Sequence, residues 1–298
     1  MFAFPQPHPV STSAVTVVLG IAQDAGYPHV GCVRPCCWPA WRRAAGRRHV
    51  ACLGLVDEAS RRCWLLDATP DLPAQLHYVR HGVARAPVEL AGIFLTHGHI
   101  GHYTGLIYLG REALGARRMP VYAMPRMAAF LRANAPWGGL LELGHVEVRE
   151  MAPARPVRLG PSLSVTPLPV PHRAEYTETV AFLVEGPNAR LLYAPDTDGW
   201  ASWSPSLEAV LTGVDVAYVD GTFFSRDELV GRNIDEVPHP SIVETLRRLR
   251  TLPADVRARV RFIHFNHTNP VLHAPPFARY VLAPAGVRAA VEGEIVPL

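Results

Sequence analysis

Charge is in short supply in this chain of 298 residues. Asp, Glu, Lys and Arg make up 18% of it, and 29 basic against 26 acidic side chains leave a formal net charge of only +3. The arginines fall in scattered pairs, Arg42-Arg43, Arg47-Arg48, Arg117-Arg118 and Arg247-Arg248, and never build a long basic run. Nucleic acid is therefore not an expected partner, because such binding leaves a concentrated positive footprint. Long hydrophobic runs are missing too: no stretch reaches the ~18 apolar residues of a membrane-spanning helix. The opening MFAFPQPHPVSTSAVTVVLG lacks the basic start and the small-residue cleavage site of a secretory leader, so VTVVLG reads as a first strand. Low-complexity linkers and internal repeats are absent, which favours one domain over residues 1–298. Cysteine is sparse and odd in number, 5 in all, with Cys32, Cys36 and Cys37 in one loop and Cys52 and Cys63 in apolar runs. That distribution speaks against a disulfide framework and for reduced thiols or a metal, with the cytoplasm as the expected compartment.

What is present is apolar surface, 49% of the residues, enough for a sizeable core. Short β-branched runs predict strands over 15–20, 50–57, 63–67, 91–95, 120–123, 146–150, 163–166, 179–185, 191–194, 216–220, 260–265 and 287–295. Helical periodicity is expected over 70–80, 103–115, 125–134 and 241–249. Strands outnumber helices in both halves, which suits an α/β (α+β) arrangement of two packed sheets covered by helices better than a doubly wound parallel sheet.

The 14 histidines matter through their clustering. Directly after the strand at 91–95 come His97, His99 and His102. Alternate positions of an extended segment face one way, so His97 and His99 can share one ion, while His102, entering a helix, can serve a neighbouring position. Single candidates then follow at later strand ends: His172, Asp196, and His264 or His267 in Phe-Ile-His-Phe-Asn-His-Thr-Asn-Pro. Taken alone, each has an ordinary structural reading as a turn histidine, a capping aspartate or a core histidine.

The series Thr96-His97-Gly98-His99-Ile100-Gly101-His102, His172, Asp196, His264 resembles the ordered ligand set of the metallo-β-lactamase superfamily. The resemblance implies a four-layer αββα sandwich and a metal-dependent hydrolase. It also implies a first ion on His97, His99 and His172 with Asp196 bridging, and Asp67 in WLLDATPDLPAQL supporting the histidine loop. DVAYVDGTF, GYPHVGC and HFNHTNP are similar to the branch that holds tRNase Z, a phosphonate-pathway phosphodiesterase and pyrroloquinoline quinone biosynthesis protein B. One departure stands out: the family pattern has an aspartate where this chain has Gly101. A second ion then keeps His102, Asp196 and His264, so one ion or two unequal ions are expected unless Asp198 or another carboxylate substitutes.

His239, between two prolines, lies where relatives in that branch carry a histidine assisting the leaving group; with Asp196 it completes the candidate catalytic pair. Cys32, Cys36 and Cys37 with a histidine of the HFNH segment could make a separate structural zinc site, the alternative being free buried thiols. Zinc is the first expectation, and iron and manganese suit the same ligands. The expected partner is a small-molecule or peptide-derived substrate, with a homodimer left open. Besides hydrolysis, the resemblance leaves room for iron-dependent oxygenation, or for a binding protein whose site has lost its activity.

Overall fold

Alternation of side chains along the strands decides the architecture. The computed structural model describes residues 14–228, 237–273 and 275–298; residues 1–13 of the stretch considered above as a leader lie outside them. In β1 (Ala14–Gly20), Ala14 and Val18 enter one hydrophobic cluster while Val15, Val17 and Leu19 enter another. The same split separates Leu53 and Leu55 from Cys52 and Val56 in β2 (Cys52–Asp57), and Trp64 and Leu66 from Cys63 and Leu65 in β3 (Arg62–Leu66). A strand apolar on both faces must be covered on both.

Each sheet has seven strands. The first adds β4 (Glu89–Phe94), β5 (Met119–Ala123) and β6 (Val146–Glu150), parallel to one another and to β3. The second runs from β7 (Val157–Arg158) and β8 (Ser164–Pro169) through β9 (Val180–Glu185) and β10 (Arg190–Ala194) to β11 (Val216–Asp220), β12 (Val260–Ile263) and β13 (Arg288–Ala289). Strands β10 to β13 are parallel. The closing β14 (Ile295–Pro297) returns to β1. The sheets meet through Phe94, which stacks on Tyr122 at 4.2 Å between ring centres and meets Phe182 edge-on at 5.8 Å.

Helices Leu72–His81 and Pro125–Ala133 bury Leu72, Val79, Met127 and Leu131 in the outer cluster of the first sheet. Helix Ile242–Leu249 joins the other cluster and opens on a capping box: Ser241 Oγ accepts from Glu244 N, and Glu244 Oε2 accepts from Ser241 N. The expected αββα arrangement is thus present. Two expected elements differ. The strand over 287–295 is divided between the sheets as β13 and β14, turning at Gly293 with φ +82°. The helix over 103–115 is a four-residue helix, Ile100–Tyr103, followed by a 3₁₀ segment, Thr104–Leu109. Here the chain presses on the start of the earlier helix Leu72–His81, for a Cβ on Gly105 would stand 2.9 Å from Leu72 Cβ. Among the described residues, no helix is long and apolar enough to cross a membrane.

Phe182→Ala should lower the unfolding free energy by about 3–5 kcal/mol, because the inter-sheet space cannot close around the missing ring. Urea unfolding would show this as a lower midpoint at unchanged slope.

Candidate metal centre

His97, His172, Asp196 and His264 each follow the carboxyl end of a strand by no more than three residues, so the strand ends bring their loops together. The anchor is Asp67, just after β3, fully buried and held at φ +75°. Its Oδ1 accepts from Thr96 N at 2.8 Å and Thr96 Oγ1 at 2.9 Å, and its Oδ2 from His102 Nδ1 at 2.8 Å. With its proton committed to Asp67, Thr96 Oγ1 accepts from His97 Nδ1 at 3.0 Å. His97 and His102 therefore both donate from Nδ1, which turns their Nε2 atoms toward the interior of the site.

His97, His99, His172 and Asp196 come together as expected, with ligand atoms all within 4.8 Å of one another. His99 Nδ1 lies 2.8 Å from His97 Nε2 and 3.1 Å from His172 Nε2. Asp196 Oδ2 is 3.3 Å from His97 Nε2, and Oδ1 is 3.2 Å from His172 Nε2. A tetrahedral ion with bonds of ~2.1 Å sets its ligands about 3.4 Å apart, so the cluster fits zinc or a similar ion. Burial opposes ionisation of Asp196, yet His172 and His239 hold its carboxyl well below the usual range. Burial and the neighbouring His102 lower the pKa of His97, which keeps it a neutral donor.

Asp198 does not fill the gap at Gly101. Its Oδ1 accepts from His172 Nδ1 at 2.8 Å, so it orients a first-cluster histidine from behind. Gly101 is not among the positive-φ glycines either, so its turn does not demand glycine on conformational grounds. The carboxylate beside His102 and His264 is Asp24, whose Oδ1 is 3.2 Å and 3.6 Å from their Nε2 atoms. Sequence reasoning passed over Asp24. It lies a few residues past the end of β1, in no motif that marks it as a ligand.

His239 Nδ1 sits 2.8 Å from Asp220 Oδ2 and 3.4 Å from Asp196 Oδ1. Burial works against its charge, but the two carboxylates raise its pKa to about 9. Asp220, also missed from sequence, is itself fixed by the backbone N–H groups of Thr197 and Thr222. A cavity of about 560 Å³ opens over Asp24, Asp196, His239 and His264, with Arg34 and Arg173 in its walls. Of the tryptophans, Trp200 and Trp203 are core residues that donate to Thr245 Oγ1 and Pro169 O.

His264 and His267 part company. His267 joins Cys32, Cys36 and Cys37, its Nδ1 3.3 Å from Cys37 Sγ and 3.7 Å from Cys36 Sγ, with Cys32 Sγ 3.9 Å from Cys36 Sγ. Three sulfurs and one imidazole make a closed donor set suited to a structural zinc. Burial pushes the Cys37 thiol up to about 12, so a cation is needed to make its thiolate the stable form at neutral pH.

A family model described as Beta-lactamase superfamily domain matches residues 62–265. The chain is 30% identical over 302 residues to a coenzyme PQQ synthesis protein B of Methylobacterium nodulans, covering 91% of this chain and 95% of that one. It is 29% identical over 289 residues to the protein of that name from Xanthomonas campestris pv. campestris, covering 88% and 93%. Among solved structures, Zn(2+)-bound PqqB from Methylobacterium extorquens aligns with a TM-score of 0.79 at 24% identity, covering 95% of this chain and all, 100%, of that one. A diphosphatase from the PhnP family aligns at 0.67 and 22% identity, covering 95% and 96%.

Two outcomes follow from this geometry. Asp67→Ala frees the rings of His97 and His102 and should weaken zinc binding about 10–100-fold, measured by titration against a competing chelator; unchanged affinity would remove Asp67 from the site. Cys32, Cys36 and Cys37 should react slowly with thiol reagents until a chelator is added, and the chelated protein should unfold at a lower temperature. Rapid labelling of all three thiols in untreated protein would mean free cysteines.

Proposed function

Because the chain belongs to the β-lactamase superfamily, we propose that it is a metal-dependent hydrolase acting on an anionic phosphodiester or related ester. The observation that carries this reading is the position of Asp196, whose oxygens face His97 and His172 in one cluster and come within 4.0 Å of His102 in the next. A divalent ion with such ligands lowers the pKa of a bound water toward ~7 and so supplies hydroxide at neutral pH. Asp220 accepts from His239 Nδ1, which leaves the other ring nitrogen to face the cavity and to give a proton to a leaving oxygen. Arg173 Nε is buried and makes no hydrogen bond among the described residues. With Arg34 in the same walls, it suits the planar, bidentate binding of a phosphate.

A second reading is oxygen-dependent chemistry on a peptide-derived substrate, because the same histidine and carboxylate ligands suit iron; the relatives' name, coenzyme PQQ synthesis protein B, keeps it beside the first. A chromogenic phosphodiester, bis(p-nitrophenyl) phosphate, separates the two. Zinc-loaded protein should hydrolyse it, His97→Ala with His99→Ala should lose both metal and turnover, and His239→Ala should lower kcat by about 10²–10⁴-fold at unchanged metal content. A zinc-loaded protein idle on phosphodiesters, monoesters and carboxylic esters would overturn the hydrolase reading, and oxygen consumption by the iron-loaded protein would favour the second.

A further inference from the structure

We infer that Asp24 is the carboxylate of a second metal site with His102, His264 and Asp196, delivered from the end of β1 into the space that a side chain at residue 101 would otherwise fill. The inference rests on the metal-dependent reading above and adds to it a ligand from a part of the chain that no motif marks.

Three observations carry it. First, Asp24 Oδ1, His102 Nε2 and His264 Nε2 are all buried, and among the described residues none makes a hydrogen bond. Buried polar atoms rarely stay unsatisfied, and with Asp24 Oδ1 facing the two Nε2 atoms at 3.2 Å and 3.6 Å the three share one missing partner.

Second, that partner is a cation. The Nδ1 atoms of both rings are already engaged, His102 with Asp67 Oδ2 at 2.8 Å and His264 with Thr222 Oγ1 at 2.9 Å. With both rings neutral, their Nε2 lone pairs and the carboxylate oxygen are three donors to a metal. Asp196 Oδ2, 4.0 Å from His102 Nε2, closes the set on the side of the first cluster. The separations of Asp24 Oδ1 from the two Nε2 atoms and of Asp196 Oδ2 from His102 Nε2, 3.2–4.0 Å, bracket the edge of about 3.4 Å expected around a tetrahedral ion.

Third, Asp24 and Gly101 exclude each other sterically. A Cβ on Gly101 would stand 2.6 Å from Asp24 Cα and 2.8 Å from Asp24 Cγ, closer than real Cβ contacts come. Gly101 has an ordinary φ, so it is the neighbouring aspartate and not the backbone that requires glycine there. Adding a carboxylate at 101 would therefore displace the ligand already in place.

Zinc titration of the full chain against a competing chelator, with metal per chain read by mass spectrometry, tests this. Asp24→Asn, nearly isosteric, should bind one zinc ion about 100-fold more weakly than the unaltered protein while the other ions stay tight. The comparison between the two proteins cancels any ion held by the cysteines. Gly101→Ala replaces no ligand, yet its methyl should push Asp24 aside and cause the same selective loss. If Asp24→Asn fails to fold, Gly101→Ala alone decides. Zinc stoichiometry and affinity unchanged in either folded variant would overturn the proposal. A protein that loses one ion in both variants but hydrolyses no ester would sustain it and would sink the hydrolase reading.

Discussion

The site hangs on the carboxylate of Asp67. Its two oxygens collect Thr96 N, Thr96 Oγ1 and His102 Nδ1, with Tyr193 OH at 3.4 Å reaching across from the second sheet. One buried anion thereby sets the proton positions of His97 and His102 and ties the end of β3 to the loop after β4. The residue adopts φ +75° to do so, and His264 sits at φ +66° on the opposite sheet. A non-glycine residue in that region costs of order 1–3 kcal/mol, a strain tolerated where surrounding packing enforces it and where function is served by it.

Around that anchor the molecule gathers more charge and polarity than an interior normally accepts. Asp196, His97, His102, His172, His239 and His264 are all buried. Packing so many imidazoles and carboxylates together is expensive unless cations and hydrogen bonds complete the arrangement. The backs of the rings are satisfied by Asp67, Thr96, Asp198, Thr222 and Asp220, and the unsatisfied atoms point inward at one another. That asymmetry distinguishes an ion-binding interior from a core that happens to contain histidines.

The parts legible in sequence were those with a period or a local pattern. Short β-branched runs marked most strands of both sheets, with β7 and the closing β14 the exceptions, and the i, i+2 spacing of His97 and His99 placed them on one side of an extended segment. Asp24 was not legible in that way. It lies 78 positions before His102, and only the three-dimensional closeness of the β1 end to the histidine loop makes it a partner. Asp198 was misjudged because proximity in sequence to Asp196 says nothing of which ring its oxygen meets; the turn sends it behind His172. The strand expected over 287–295 failed because apolar continuity cannot reveal a change of sheet at Gly293.

The cysteine cluster and the Asp24 cluster are strung on the same two stretches of chain. Asp24 precedes Cys32 on one, and His264 precedes His267 on the other, so fixing either cluster shortens the free loop that the other must order. Loop closure becomes cheaper as the loop shortens. By thermodynamic reciprocity, an ion at the cysteines tightens the grip of Asp24 and His264 on theirs by as much as theirs tightens the cysteines. Couplings of this kind run to about 1–3 kcal/mol, or 5–150-fold in affinity. Oxidation of the thiols would therefore be felt at Asp24 and His264 as a change in metal affinity.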